Sequence, residues 1–329
     1  MLVPVSERLR QMDRDRVVER IWRRDHTVWK DDPTEIANRL GWLTVSDVMH
    51  ERIGELVAFA DQAAADGFET AVLLGMGGSS LAPEVFMRTF GAAGGALELI
   101  VLDTTHPATI ERVVGQLELG TTLFIVASKS GGTTETLSHL AFFWDKVPNG
   151  TQFVAITDPG TSLETQARER GFRAVFVNPD DIGGRYSALS YFGLVPAALI
   201  GAPLHEVLDR AEEMQTASER TIPAAQSPGA TLGAMMGESA KAGRDKLTIA
   251  LPEEIASFGS WVEQLIAEST GKEGVGIVPV VGEPLGTPDV YGQDRVFVAI
   301  GEHGGLDEIE HLGHPVVWLP YDGREQIGD

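Results

Sequence analysis

The 329-residue sequence predicts an α/β protein made of two parallel sheets, each flanked by helices in doubly wound fashion. Three observations predict it. Short, uninterrupted apolar runs such as Ala71-Val72-Leu73-Leu74 and Leu123-Phe124-Ile125-Val126 are what strands buried on both faces look like. Segments of helical period separate these runs, as parallel neighbours require. Loops rich in glycine and hydroxyl residues follow the strands directly, at the ends where open α/β sheets bind ligands.

Taken in order, Leu9, Met12, Val18, Ile21 and Trp22 fall at helical spacing, and the stretch Asp25 to Trp42 is irregular, aromatic and interrupted by Pro33. Residues 1–45 are therefore expected to form an N-terminal helical arm. A helix over about 46–65 opens the first α/β unit, residues 46–202, with strands expected at 71–74, 97–102, 123–127, 153–157 and 174–177. A helical connector broken at Pro223 and Pro228 covers 203–242. The second unit, 243–329, has strands expected at 247–251, 277–281, 296–300 and 316–319.

Composition narrows the function classes. An apolar content of 43% is ample for a packed core and excludes disorder. No apolar run is long enough to span a membrane, and Met1-Leu2-Val3-Pro4-Val5 leads into charge rather than into a signal-peptide core, so a cytoplasmic protein is expected. Zero cysteines exclude disulfides, thiolate metal sites and cysteine nucleophiles. The net charge of −22 argues against a nucleic-acid partner. Residues 1–30 differ locally, with eight basic against five acidic side chains, and read as a mixed-charge solvated helix. An anionic substrate must then find a positive pocket within an acidic protein.

Four loops carry chemistry. After the strand at 123–127 comes Ser128-Lys129-Ser130-Gly131-Gly132-Thr133-Thr134, and Glu135 opens an apolar helix. Hydroxyls, backbone N–H groups freed by glycine and the positive end of a helix together suit a phosphate. The alternative is a plain strand-to-helix loop whose Ser and Thr cap the helix. Gly75-Met76-Gly77-Gly78-Ser79-Ser80 places serine where a dinucleotide loop needs its third glycine, so two glycines and Ser79 approaching a polar ligand accounts for it better, and tight strand–helix packing at Gly77 is compatible with that. In Gly183-Gly184-Arg185-Tyr186-Ser187 the turn holds a guanidinium suited to an oxyanion, unless Asp180 or Asp181 pairs with it. Gln264 and Glu268 share one face of a helix stopped by Gly271. Glu268 there faces the negative end of the helix dipole, which favours it as a proton acceptor; the alternative is a surface glutamate. His311, His314 and Glu308 suggest a metal set or, more simply, a solvated loop.

In this order the four segments resemble the glucose-6-phosphate isomerase family: G-x-G-G-S at 75–79, S-K-[ST]-x-x-T-x-E-T at 128–136, G-G-R-[FY]-S at 183–187 and Q-x-x-x-E-S-x-G-K at 264–272. Residues 20–43 look like the form of the family fused behind transaldolase. The resemblance implies two sugar isomerase (SIS) subdomains, the second incomplete here, with the active site between them and across the interface of a homodimer. It implies a hexose 6-phosphate substrate, aldose–ketose isomerisation through a cis-enediolate, and no metal or organic cofactor. Ser128, Lys129, Ser130 and Thr133 match the phosphate binders, Gly78 and Ser79 the sugar contacts, Arg185 the enediolate stabiliser, Gln264 a substrate contact and Glu268 the base. The family's ring-opening histidine and C-terminal lysine have no match, and a truncated chain with impaired turnover is expected. The competing expectation is a non-catalytic SIS module that binds a sugar phosphate.

Overall fold

A computed structural model describes residues 3–328. Met1 and Leu2, read above as leading into charge, and Asp329 lie outside the described residues. The chain divides into two compact units, Asn38–Leu208 and, discontinuously, Met1–Ala37 with Asp209–Asp329. Its α-helices run from α1 (Val3–Arg14) and α2 (Val17–Trp22) through α3 (Val45–His50), α4 (Ile53–Ala65), α5 (Leu81–Phe90), α6 (Pro107–Val114), α7 (Thr134–Lys146), α8 (Ser162–Glu169) and α9 (Tyr191–Leu199). They continue with α10 (Leu204–Ala217), α11 (Pro228–Lys241), α12 (Phe258–Thr270) and α13 (Leu306–His311). The single helix expected over 46–65 is two, parted by a turn at Glu51-Arg52 whose side chains are both exposed.

In the Asn38–Leu208 unit the strands β1 (Thr70–Gly75), β2 (Glu98–Leu102), β3 (Thr122–Ala127), β4 (Phe153–Thr157) and β5 (Ala174–Val177) form one parallel sheet in the order β2-β1-β3-β4-β5. Every residue of β3 and β4 is buried, as central strands covered on both faces must be. On one face Phe124 packs between Phe143 and Phe153, with ring centroids 4.7 and 5.0 Å away, under α7 and α8. On the other, α9 is buried from Phe192 to Leu199, which explains why it is apolar all round rather than striped.

The second unit repeats the plan. β6 (Lys246–Ala250), β7 (Val278–Val281), β8 (Arg295–Ile300) and β9 (Val316–Leu319) pair in parallel in the order β7-β6-β8-β9. Leu247 and Val296 on one face bury against Val5 and Leu9 of α1 and Met235 of α11, while Phe297 on the other packs with Tyr291 and Ile309. All nine strands expected from sequence are present, their ends within one residue of expectation. In each sheet the chain moves outward to a second strand and then returns to the far side of the first. Switch points therefore fall between β1 and β3 and between β6 and β8, where open sheets take ligands.

Candidate active site

At the first switch point Gly75 and Ala127 are register partners, so the loops after β1 and β3 leave the sheet side by side. The loop after β3 is the expected cradle. Ser128, buried, and Thr133 bring their hydroxyls to 2.9 Å of each other. Thr133 is the N-cap of α7, yet its side chain makes no capping bond. The hydroxyls are thus turned toward each other rather than spent on the helix, and the first-turn N–H groups of α7 remain donors beside them. Ser130 accepts from the N–H of Gly132 at 3.3 Å. Gly131 has φ 65°, and a Cβ there would come within 2.5 Å of Thr161, so glycine alone fits both the conformation and the space.

Lys129 behaves differently from its neighbours. Its ammonium is taken by the carboxylate of Asp158, in the loop after β4, and donates to the carbonyl of Asp180 at 3.2 Å. Burial pushes the Asp158 carboxyl up from its ordinary range, and Lys129 opposes that.

Gly78 and Arg185 are brought together by backbone. A Cβ on Gly78 would lie 2.3 Å from the Gly184 carbonyl oxygen and 3.2 Å from the Arg185 nitrogen, so the loops after β1 and β5 touch main chain to main chain. Ser79 sits in the same tight turn, its N–H donating to the Met76 carbonyl at 3.1 Å. The buried Ser187 hydroxyl donates to the Gly184 carbonyl at 2.7 Å and fixes the turn that presents Arg185. From outside, Leu40 bridges Ile182, the Gly41 N–H donates to the Asp181 carbonyl at 2.8 Å, and Trp42 stacks on Tyr186 at 5.7 Å.

The second pair lies in the other unit. Gln264 donates through Nε2 to Glu268 Oε1 at 3.0 Å across one turn of α12, as the i, i+4 spacing requires. Lys272 Nζ donates to the Glu268 carbonyl at 3.0 Å and satisfies one of the orphan acceptors of the helix end. Glu268 is exposed, and Gln264 Oε1 is buried without a partner. Gly271 ends the helix with φ −74°, so its glycine serves space rather than left-handed backbone: a Cβ would meet the Ala267 carbonyl oxygen at 2.6 Å.

The tail histidines do not converge. His314 is buried edge-on to Tyr291 and Phe297, while His311 Nδ1 lies 2.6 Å from the Asp307 carbonyl of its own helix. Sequence reasoning missed Asp158, Thr161 and Ser162, which brace the cradle; the signal was Thr157-Asp158-Pro159-Gly160 at the carboxyl end of the strand next to β3. It also missed the clamp formed by Leu40, Gly41 and Trp42, for which local spacing carries no signal.

Comparison with known proteins gives the family and the fold. The family model described as phosphoglucose isomerase matches residues 15–288, a span containing all four loops. A glucose-6-phosphate isomerase from Synechococcus sp. (strain JA-3-3Ab) is 36% identical over 216 residues, covering 62% of this chain and 40% of that protein. The chloroplastic glucose-6-phosphate isomerase 1 of Arabidopsis thaliana is 34% identical over 250 residues, covering 70% of this chain and 40% of that protein. The match thus spans about two fifths of the length of these relatives. In fold, the chain resembles a hypothetical protein from Thermus thermophilus, with TM-score 0.80 and 24% identity over 99% of this chain and 88% of that one. It also resembles a glucose-6-phosphate isomerase from Chlamydia trachomatis, with TM-score 0.75 and 18% identity over 98% and 78%.

Proposed function

The chain belongs to the phosphoglucose isomerase family, and from that premise we propose that it interconverts glucose 6-phosphate and fructose 6-phosphate. The observation that carries the proposal is the Gln264–Glu268 pair at the end of α12, which holds an exposed carboxylate oxygen by a side-chain amide within the Q-x-x-x-E-S-x-G-K setting. Glu268 removes the C2 proton of the open-chain aldose and returns it at C1, while the electron pair shifts through a cis-enediolate and the carbonyl moves from C1 to C2. Arg185, presented from a turn fixed by Ser187, opposes the negative charge that develops on the enediolate oxygens. The phosphate rests on the hydroxyls of Ser128, Ser130 and Thr133 and on the N-terminus of α7, with Gly78 and Ser79 near the sugar. Two protons change places, one from C2 to C1 through Glu268 and one from the C2 hydroxyl to the C1 oxygen along the enediolate, and the overall oxidation level of the sugar is unchanged, so the transfer calls on no external oxidant or reductant.

The same reading has the protein in the cytoplasm as a homodimer; no described helix is long and apolar enough to cross a membrane. The test is a coupled assay following glucose 6-phosphate formed from fructose 6-phosphate, run on the wild-type chain and on Glu268→Gln. The variant is expected to lose about 10² to 10⁴ in kcat while its affinity for glucose 6-phosphate stays within a few-fold. Equal loss of binding and rate, or no loss of rate, removes Glu268 from the role of base.

A further inference from the structure

We propose that Asp158 is a positioning residue of the phosphate cradle: it takes the Lys129 ammonium as its counter-ion, so that Lys129 braces the loop while neutral hydroxyls and backbone N–H groups hold the phosphate. This deepens the cradle reading above and rests on it. Nothing in the motif from 128 to 136 points to Asp158, which lies 29 residues from Lys129 in sequence and meets it only through the pairing of β3 with β4.

The ion pair is one member of a larger brace between the loops after β3 and β4. The N–H of Asp158 donates to the Lys129 carbonyl at 3.2 Å, and the N–H of Ser128 to the Ile156 carbonyl at 3.0 Å. Ser162 Oγ donates to the Gly131 carbonyl at 2.9 Å, and Thr161, against which Gly131 is packed, exchanges a hydrogen bond of 2.8 Å with Thr157. The cradle backbone is therefore fixed at both ends of its glycine turn by the neighbouring loop, and Lys129 carries that fixation out to a charged side chain. A second arm reaches from the same ammonium to the Asp180 carbonyl, three residues before Gly183, which links the cradle to the loop presenting Arg185.

Stability alone gives no reason for such a pair. The two side chains are only 15% and 20% exposed, and Asp158 Oδ1 is buried with no donor among the described residues. Removing two charges from water is costly, and a buried pair with an unsatisfied oxygen is a poor exchange for well-packed apolar residues. What the pair supplies is direction: it sets where the Lys129 side chain and its backbone lie. It also accounts for how an acidic protein keeps a lysine beside an anion site without leaving that charge free to bind anions indiscriminately, since the cradle carries no net charge once Asp158 is counted.

The experiment is a double-mutant cycle on the full chain. Calorimetry with glucose 6-phosphate, thermal melting, and KM and kcat for fructose 6-phosphate are measured for Asp158→Asn, Lys129→Met and the double variant. Each single change is expected to weaken glucose 6-phosphate binding and raise KM by about tenfold to a hundredfold, with kcat within about threefold, and the double variant is expected to lose no more than either single one. Should Asp158→Asn fold poorly, Asp158→Glu keeps the charge one methylene displaced and is expected to fold and recover part of the affinity. Multiplicative losses in the double variant would show that Lys129 acts on the phosphate by itself and overturn the proposal. So would unchanged or tightened binding by Asp158→Asn, or a lower melting temperature with unchanged affinity. A wild-type chain that binds no glucose 6-phosphate refutes the cradle itself, an outcome distinct from a cycle that closes additively.

Discussion

The contact between Gly78 and Gly184 gives a test with a magnitude set by geometry. In Gly78→Ala the new methyl carbon would stand 2.3 Å from the Gly184 carbonyl oxygen and 2.6 Å from its carbonyl carbon, both of them backbone atoms that no rotamer change can move aside. Close carbon–oxygen contacts settle at about 3.3 to 3.6 Å, so one loop must retreat by about 1 Å. Gly78 has no positive φ, so the substitution perturbs the contact and not the local backbone preference. Overpacking of this kind costs about 1 to 3 kcal/mol of stability, and a displacement of about 1 Å in a group that must meet a transition state costs on the order of 10² in rate. The expected outcome is a kcat for fructose 6-phosphate lowered by about 10² in the coupled assay, with glucose 6-phosphate binding at the cradle changed only a few-fold. Gly94→Ala serves as the control, because a Cβ at Gly94 meets nothing within 4 Å. A Gly78→Ala enzyme with kcat within about twofold of wild type would show that the packing of these two loops does not position Arg185.

Two further outcomes follow from the cradle and its helix. Ser128→Ala and Thr133→Ala are each expected to weaken glucose 6-phosphate binding by about 1 to 3 kcal/mol, and together by less than the sum because the hydroxyls are bonded to each other; calorimetry giving equal affinities for glucose and glucose 6-phosphate would refute the cradle. His139 on α7 donates through Nε2 to the Thr104 carbonyl at 3.0 Å while its Nδ1 is buried without a partner, and burial holds its pKa below the ordinary value against the pull of the Thr104 carbonyl, Asp103 and Glu135. The unfolded chain then binds the extra proton first, so stability falls as the pH drops below the unfolded value of about 6.5, by at most about 1.4 kcal/mol per unit. Urea midpoints at pH 8 and pH 5 should show that slope reduced in His139→Gln; an identical slope in both proteins would clear His139 of the effect.

The central strands β3 and β4 were legible because each is built on a continuous apolar run, and burial on both faces leaves no alternation to confuse the reading. Glu268 and Gln264 were legible as a helical pair for the same local reason: a spacing of four puts two side chains on one face. What stayed hidden is whatever depends on residues far apart in sequence. The period through Leu9 and Met12 shows an amphipathic helix but not that its apolar face belongs against Leu247 and Val296. Gly78 and Gly131 read in sequence as room for a ligand and as freed backbone donors, yet each is also required by a backbone or side-chain atom of another loop. The carboxylate that meets Lys129 lies 29 residues further along the chain, and nothing adjacent to Lys129 reveals it.

The interleaving of the two units orders events during synthesis. Residues 38–208 are one unbroken stretch and can complete their sheet as soon as they leave the ribosome, whereas the other unit is assembled from the chain before residue 38 and the chain after residue 208. The apolar face of α1 is made before its partners on β6 and β8, which arrive some 240 to 290 residues later, a delay on the order of tens of seconds at about 5 to 20 residues per second. For that interval Val5, Leu9 and Met12 form an exposed nascent stripe that holdase chaperones are built to cover. An excised 38–208 segment, by contrast, carries its whole core within itself and is the part of this chain expected to fold on its own.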